Sequence, residues 1–160
     1  SAVSELVSEW AQSSNDGTTA LAIQRAAQEE FGLSETKDWE LDKWHTQQLG
    51  IEYERNGELY RAFVRAQYNN TQAYLKEKGI TALKVYRGMR WMEEADMPEW
   101  TKGRSIHTAD IPLRPINSFS TEEDIANDFA SASPYGAVAA GMVPAKYILS
   151  TPSKCLSWKY

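Results

Sequence analysis

The sequence has little of the chemistry that disulfides, metal sites and histidine-based catalysis require. Its 160 residues include one cysteine, Cys155, and two histidines, His45 and His107. A single cysteine cannot form an intramolecular disulfide, and Cys155 has no Cys or His neighbour at the spacing of a zinc site. Two histidines also leave little material for a Ser-His-Asp triad. We therefore expect neither a structural metal nor triad chemistry.

Basic charge and long apolar runs are scarce as well. Seventeen Lys and Arg stand against 22 Asp and Glu, which gives a net charge of -5. Nucleic-acid binding depends mainly on Lys and Arg that neutralise phosphates, so this balance argues against a dedicated nucleic-acid binder. No apolar run approaches the ~20 residues of a membrane span. The first ten residues lack the basic and apolar regions of a signal peptide, although a secreted protein without its leader would look the same.

Hydrophobic and aromatic residues, in contrast, are plentiful. They make up 42% and 11% of the chain and include six Trp and eight Tyr. This content is far too high for a disordered chain. A chain of this length can bury roughly two-thirds of its unfolded surface in one domain. We predict a single domain over residues 1–160, with a helical part at 1–79 and a β-rich part at 80–160.

The N-terminal half places apolar residues three and four positions apart, as amphipathic helices do. Glycines and small hydroxyl residues mark where such helices end and begin. Four helices are predicted on this basis: residues 3–10, closed by a turn at 15–17; a helix capped by Thr18 or Thr19 and ended by Gly32; a short helix within 39–49; and residues 58–78, ended by Gly79.

After Gly79 the apolar spacing changes to two, which indicates strands. The predicted elements are a strand over 83–86 that runs into Arg87 and Gly88, a polar loop over 92–104, an extended stretch over 111–119, a helix over 122–129, and two short strands over 137–143 and 145–150. Helices followed by strands with one inserted helix correspond to an α+β fold.

The stretch KVYRGM, residues 84–89, carries the first candidate site residues. Arg87 stands at the end of the predicted strand, and its guanidinium fork matches phosphate or carboxylate in bidentate fashion. Gly88 would let the backbone approach a ligand closely. An ion pair between Arg87 and a carboxylate at a strand edge is the structural alternative.

The stretch NSFSTEEDIANDF, residues 117–129, carries the second group. Thr121, with Asp124 three residues later, resembles a capping box, so its hydroxyl can satisfy free N–H groups at a helix start. Ser120 is not explained by that role. At the end of an extended segment, its hydroxyl could instead hydrogen-bond a bound ligand.

Together these stretches resemble the ADP-ribosyltransferase family of the Arg-Ser-Glu type. Tyr86-Arg87-Gly88 is similar to that family's first motif, and Phe119-Ser120-Thr121, with an A-x-x-F helix at 126–129, is similar to its second. VPAKYILSTP, residues 143–152, resembles the strand before the family's catalytic glutamate. The resemblance covers about residues 55–158. It implies a helical N-terminal part packed on a split mixed β-sandwich.

The resemblance also implies an activity. It is the transfer of ADP-ribose from NAD to a protein or other acceptor, including an arginine side chain, with release of nicotinamide. Arg87 would hold the diphosphate, the main chain of Gly88 would meet the carboxamide, and Ser120 would order the ribose and the catalytic carboxylate. Thr121 belongs to the same NAD site. The nicotinamide wall would come from Tyr86, Phe119 or Phe129.

The sequence departs from the family pattern in two places. Glu122 occupies the third position of the second motif, and the family's catalytic Glu would lie a few residues beyond a segment like LSWKY, residues 156–160. We therefore expect these 160 residues to bind NAD with little or no transfer. The family suggests a bacterial or phage toxin or effector with an immunity protein. Two other readings are a non-catalytic interaction module on the same scaffold and a helical adaptor capped by its strands.

Overall fold

The computed structural model describes residues 17–33, 41–102, 106–111, 113 and 116–150. The helix expected at 3–10, most of the turn after it, Cys155 and the segment 156–160 lie outside these residues. The described residues form two compact units. The first holds the residues up to Ala73 together with 113, 116, 149 and 150, and the second holds 74–111 and 117–148.

Helix α1, Thr18–Phe31, confirms the second predicted helix. It ends as expected, because Gly32 adopts the left-handed conformation with φ 63° and donates its N–H to the Gln28 carbonyl. The predicted capping by Thr18 or Thr19 is wrong. Gly17 is the N-cap residue, without a side-chain hydrogen bond, so the helix starts one residue earlier than a threonine cap requires.

Helix α2, Lys43–Glu77, joins two of the predicted helices into one of 35 residues. At its start, the Asp42 carboxylate accepts a hydrogen bond from the His45 backbone N–H at 2.8 Å, as N-cap residues do. The predicted division between 49 and 58 is wrong, because the helix runs through both Gly50 and Gly57. Its end agrees with prediction, since Gly79 follows it with φ 67°.

The core of the first unit forms where the apolar faces of α1 and α2 meet. Its buried members are Leu21, Ala22, Ile23, Ala26, Leu49, Tyr53, Tyr60, Phe63 and Val64. Gln24 is also buried, and its side-chain amide holds a distant segment. Its Nε2 donates to the Ile116 carbonyl at 2.8 Å, and its Oε1 accepts from the Ile116 N–H at 2.7 Å. This pair of bonds ties the Ile116 main chain to α1 within the first unit.

The second unit contains two antiparallel strands, β1, Ala82–Arg90, and β2, Gly136–Pro144, with Arg87 opposite Ala139. Both strands confirm predictions. The prediction of a strand over 145–150 is wrong, because Ala145–Tyr147 forms a 3-10 turn. The Ala145 N–H donates to the Thr81 carbonyl at 2.8 Å. Since Thr81 precedes β1, a longer β2 would have no partner strand there.

Helix α3, Glu123–Ser131, confirms the inserted helix. Its predicted cap is wrong, because Glu122 is the N-cap residue and makes no side-chain cap bond. The hydroxyl of Ser120, not Thr121, accepts a hydrogen bond here, from the Glu122 N–H at 2.9 Å. The turn is thus closed one residue before the expected position.

The fold class agrees with the sequence, since the described residues form an α+β arrangement of three helices and a two-stranded antiparallel sheet. The split β-sandwich stays a prediction. The polar loop after β1 contains two 3-10 turns, Glu94–Asp96 and Glu99–Thr101. Among the described helices, none is both long and apolar enough to cross a membrane.

Candidate functional site

The two sequence motifs meet through a backbone pair. Tyr86 of β1 donates its N–H to the Ser120 carbonyl at 2.7 Å, and Ser120 donates its N–H to the Tyr86 carbonyl at 2.8 Å. This antiparallel bridge lies on the edge of β1 that faces away from β2, and it is a single pair rather than a strand. The YRG and FST motifs therefore meet through their main chains, whereas a shared ligand site stays a prediction.

Beyond this bridge the described residues form no further main-chain pair between the two segments, and the Arg87 side chain reaches across to the second one. Its Nη1 donates to the carbonyl of Ser118, 31 residues away in sequence, at 2.9 Å. Main-chain groups alternate their direction along a strand, so the N–H and C=O of Gly88 point to the same edge as those of Tyr86. We call this gap, bordered by Gly88, the Arg87 guanidinium and the Ser118 carbonyl, the notch.

The side chains at the notch divide between the two faces of β1. Residues directly opposite in an antiparallel pair share a face, and neighbours along a strand alternate. Tyr86 and Ser120 therefore lie on one face, and Arg87 and Phe119 lie on the other. The Arg87 guanidinium carbon is 5.7 Å from the centre of the Phe119 ring, which agrees with this division. Arg87 and Ser120 thus approach each other only at the strand edge.

Helix α3 covers Gly88 on the Tyr86 face. A methyl group at Gly88 would lie 3.0 Å from the carbonyl carbon of Ala126 and 3.2 Å from the nitrogen of Ala130, and closer still to the Ala126 oxygen. The close approach that the glycine permits is therefore an approach of the helix backbone. Because α3 occupies the Tyr86 face, a ligand would approach the notch from the Phe119 face, where Phe119 is 37% exposed.

Two further predicted site residues, Phe129 and Thr121, lie on α3 and in the turn before it. Phe129, on α3, is 49% exposed, and the guanidinium of Arg90 is stacked on its ring at 4.4 Å. Thr121 is exposed at the turn before α3. Their assignment to NAD binding stays a prediction. The Ser118 carbonyl could not be predicted as the acceptor for Arg87, because every residue type presents that group.

A polar cluster in the first unit carries the clearest electrostatic perturbation. The Tyr53 hydroxyl donates to the Glu29 carboxylate at 2.6 Å, and this bond is the main reason why the pKa of Glu29 is lowered. Burial is the main reason why the pKa of Tyr53 is raised. The Arg61 guanidinium donates to the same carboxylate at 3.2 Å. These contacts join α1 to α2 and explain the cluster as structural.

Within the part of the chain that the structure describes, no group of three or more His, Cys, Asp or Glu side chains could hold a metal ion. Comparison with protein-family models, curated proteins and solved structures finds no match to this chain.

Proposed function

We propose that this chain is an NAD-binding domain of the ADP-ribosyltransferase type, and that the notch binds the dinucleotide. The reaction transfers ADP-ribose from NAD to a protein acceptor, such as an arginine side chain, and releases nicotinamide. The observation that supports this most is the pairing of Tyr86 with Ser120, together with the bond from Arg87 to Ser118. It joins the two motifs on which the resemblance depends.

The groups at the notch suit the parts of NAD. The Arg87 guanidinium can donate to a diphosphate oxygen in exchange for the neutral Ser118 carbonyl, and a charged acceptor makes the stronger bond. A carboxamide needs one donor and one acceptor, which the N–H and C=O of Gly88 supply along one edge. The exposed ring of Phe119 offers an apolar surface for the nicotinamide.

Ser120 can serve the ribose without leaving its structural role. Its oxygen accepts the Glu122 N–H, which leaves the hydroxyl proton available to donate to a ligand atom. The Ser120 side chain is on the Tyr86 face, so its hydroxyl would meet a ligand in the notch around the strand edge at the bridge. Of the aromatic residues considered for the nicotinamide wall, Phe119 fits the geometry best, because it lies on the same face of β1 as the Arg87 guanidinium.

The reaction itself breaks the bond between the ribose C1′ and the pyridinium nitrogen. The bonding electrons pass to nicotinamide, positive charge develops on the ribose, and the acceptor forms the new bond to C1′ and loses a proton. A carboxylate beside the ribose would stabilise that charge. No residue of the sequence matches the family's catalytic glutamate, so for these 160 residues we propose NAD binding with little or no transfer. A toxin or effector role with an immunity protein is proposed on the resemblance alone.

Calorimetric titration of NAD tests this proposal. Arg87→Gln removes a charged hydrogen bond, which is worth about 1.5–3 kcal/mol, so we expect the affinity to fall roughly 10- to 150-fold. Arg90→Gln is the matched control, because Arg90 lies on the same strand but contacts Phe129. Equal NAD affinity of the original chain and the Arg87 variant would contradict the proposal.

The second candidate function is a non-catalytic interaction module. It is favoured by the flank of α3, where Ile125 and Phe129 are both large, apolar and about half exposed. Exposed apolar pairs of this kind are common at protein-protein interfaces. The two functions differ in one measurement, since a pure interaction module shows no saturable NAD binding while a partner protein binds at this flank.

A further inference from the structure

The proposed function does not use the outer edge of β2, the edge that faces away from β1. Because Tyr86 turns its main-chain groups toward Ser120, the hydrogen-bonded partners of β2 are the odd-numbered residues, such as Ala139 opposite Arg87. The N–H and C=O groups of Val138, Ala140 and Met142 therefore point away from β1. No residue in the described ranges pairs with them.

This edge has few of the features that normally prevent strands from pairing. Natural edge strands are protected by charged side chains, bulges or prolines. β2, with the sequence GAVAAGMVP, has no charged residue, and its only proline, Pro144, stands at the end. The side chains of Val138 and Met142 are 37% and 63% exposed. The neutral strand thus offers unprotected main-chain donors and acceptors at Val138, Ala140 and Met142.

The strand is also suited to pair with itself. Val138 and Met142 lie at equal distances from Ala140 in sequence, so an antiparallel pair centred on Ala140 puts Val138 of each copy opposite Met142 of the other. All three have outward main-chain groups, which gives ~6 hydrogen bonds across the pair. The chain as a whole is acidic, with a net charge of -5, so two copies repel each other on average. The neutral edge avoids that repulsion.

We propose that β2 pairs with β2 of a second copy of this chain. The result is a four-stranded antiparallel sheet with a two-fold axis at Ala140. An isologous contact of this kind closes after two copies, because each β2 edge is used by its partner. The exposed Val138 and Met142 side chains would cover each other across the axis.

Sedimentation equilibrium of the full chain over a wide concentration range tests the proposal. We expect a monomer-dimer equilibrium for the original chain. Ala140→Lys and Ala140→Glu each place like charges directly opposite one another at the axis, so each variant alone should be monomeric. An equimolar mixture of the two variants should regain the dimer. Ala140 is exposed, so either side chain can be accommodated in the monomer.

Asn127→Lys is the control for net charge. It makes the same change in charge as Ala140→Lys, but at an exposed position on α3, and it should leave the dimer intact. A chain that stays monomeric at every concentration would overturn the proposal. An Ala140→Lys variant that still forms dimers would also overturn it. The same holds if the equimolar mixture of the two charged variants stays monomeric, or if the Asn127→Lys variant is monomeric.

Discussion

Replacing Gly88 by alanine tests how the motif residue is used in the fold. The glycine lies in the middle of β1, beneath α3, and its φ is not in the left-handed region. Strain in the backbone therefore plays no part. The effect must come from the added methyl group, which would meet the Ala126 carbonyl group and lie 3.2 Å from the Ala130 nitrogen.

The size of the effect follows from what must move. Both contacts are backbone atoms of α3, so no side chain can rotate away, and the helix must shift off the sheet. Added methylenes that force backbone shifts in a packed region cost about 1–3 kcal/mol. The smaller freedom of alanine in the unfolded chain returns about 0.4–1 kcal/mol. We expect a net loss of about 1–2 kcal/mol in the free energy of unfolding.

Urea denaturation followed by far-ultraviolet circular dichroism and tryptophan fluorescence measures this loss. The matched control is Gly141→Ala in β2, because a methyl group there meets no atom within 4 Å. It should be neutral or stabilising by up to about 1 kcal/mol. If Gly88→Ala is as stable as Gly141→Ala, α3 does not rest on β1 as described, and the structural role of Gly88 is refuted.

Three further substitutions test the first unit. Gln24→Leu removes two hydrogen bonds to the Ile116 main chain and should cost about 1–3 kcal/mol in urea denaturation, whereas an unchanged midpoint would contradict the clamp. Thr71→Val should stabilise the chain by up to about 1 kcal/mol, since the buried Thr71 hydroxyl has no partner among the described residues, and a clear loss of stability would show that it has one. Glu29→Gln should be less stable than the original chain near neutral pH. The lowered pKa of Glu29 makes its contribution present above about pH 4.5 and lost as the pH falls through the folded-state pKa, so a difference that stays constant from pH 7 to pH 3 would refute it.

Features that depend on local chemistry were predicted well from the sequence. Gly32 and Gly79 end their helices because only glycine adopts positive φ without strain, which is a property of the residue itself. The alternation of Leu83 and Val85 with Lys84 and Tyr86 identified β1, because strand side chains point to opposite faces in turn. The caps were less predictable, since Ser120 and Thr121 are both able to close the turn before α3, and their backbone geometry decides between them.

Features that depend on distant contacts were predicted less well. Gly50 and Gly57 weaken a helix locally, but α2 continues through them. Leu49 precedes the first glycine, Tyr53 lies between the two and Tyr60 follows the second, and all three belong to one buried core. The division of the site between two faces was likewise not visible. Alternation alone separates Arg87 from Tyr86, but only the register with Ser120 shows which face each motif shares.

The most direct test of the account is an amide NMR titration of the isotopically labelled chain with NAD. It reads the notch residue by residue and does not depend on catalysis. We expect saturable shifts that are largest at the amides of Gly88, Phe119 and Ser120, and that disappear in Arg87→Gln. Spectra that do not change with NAD, or shifts confined to residues of the first unit, would contradict NAD binding at the notch.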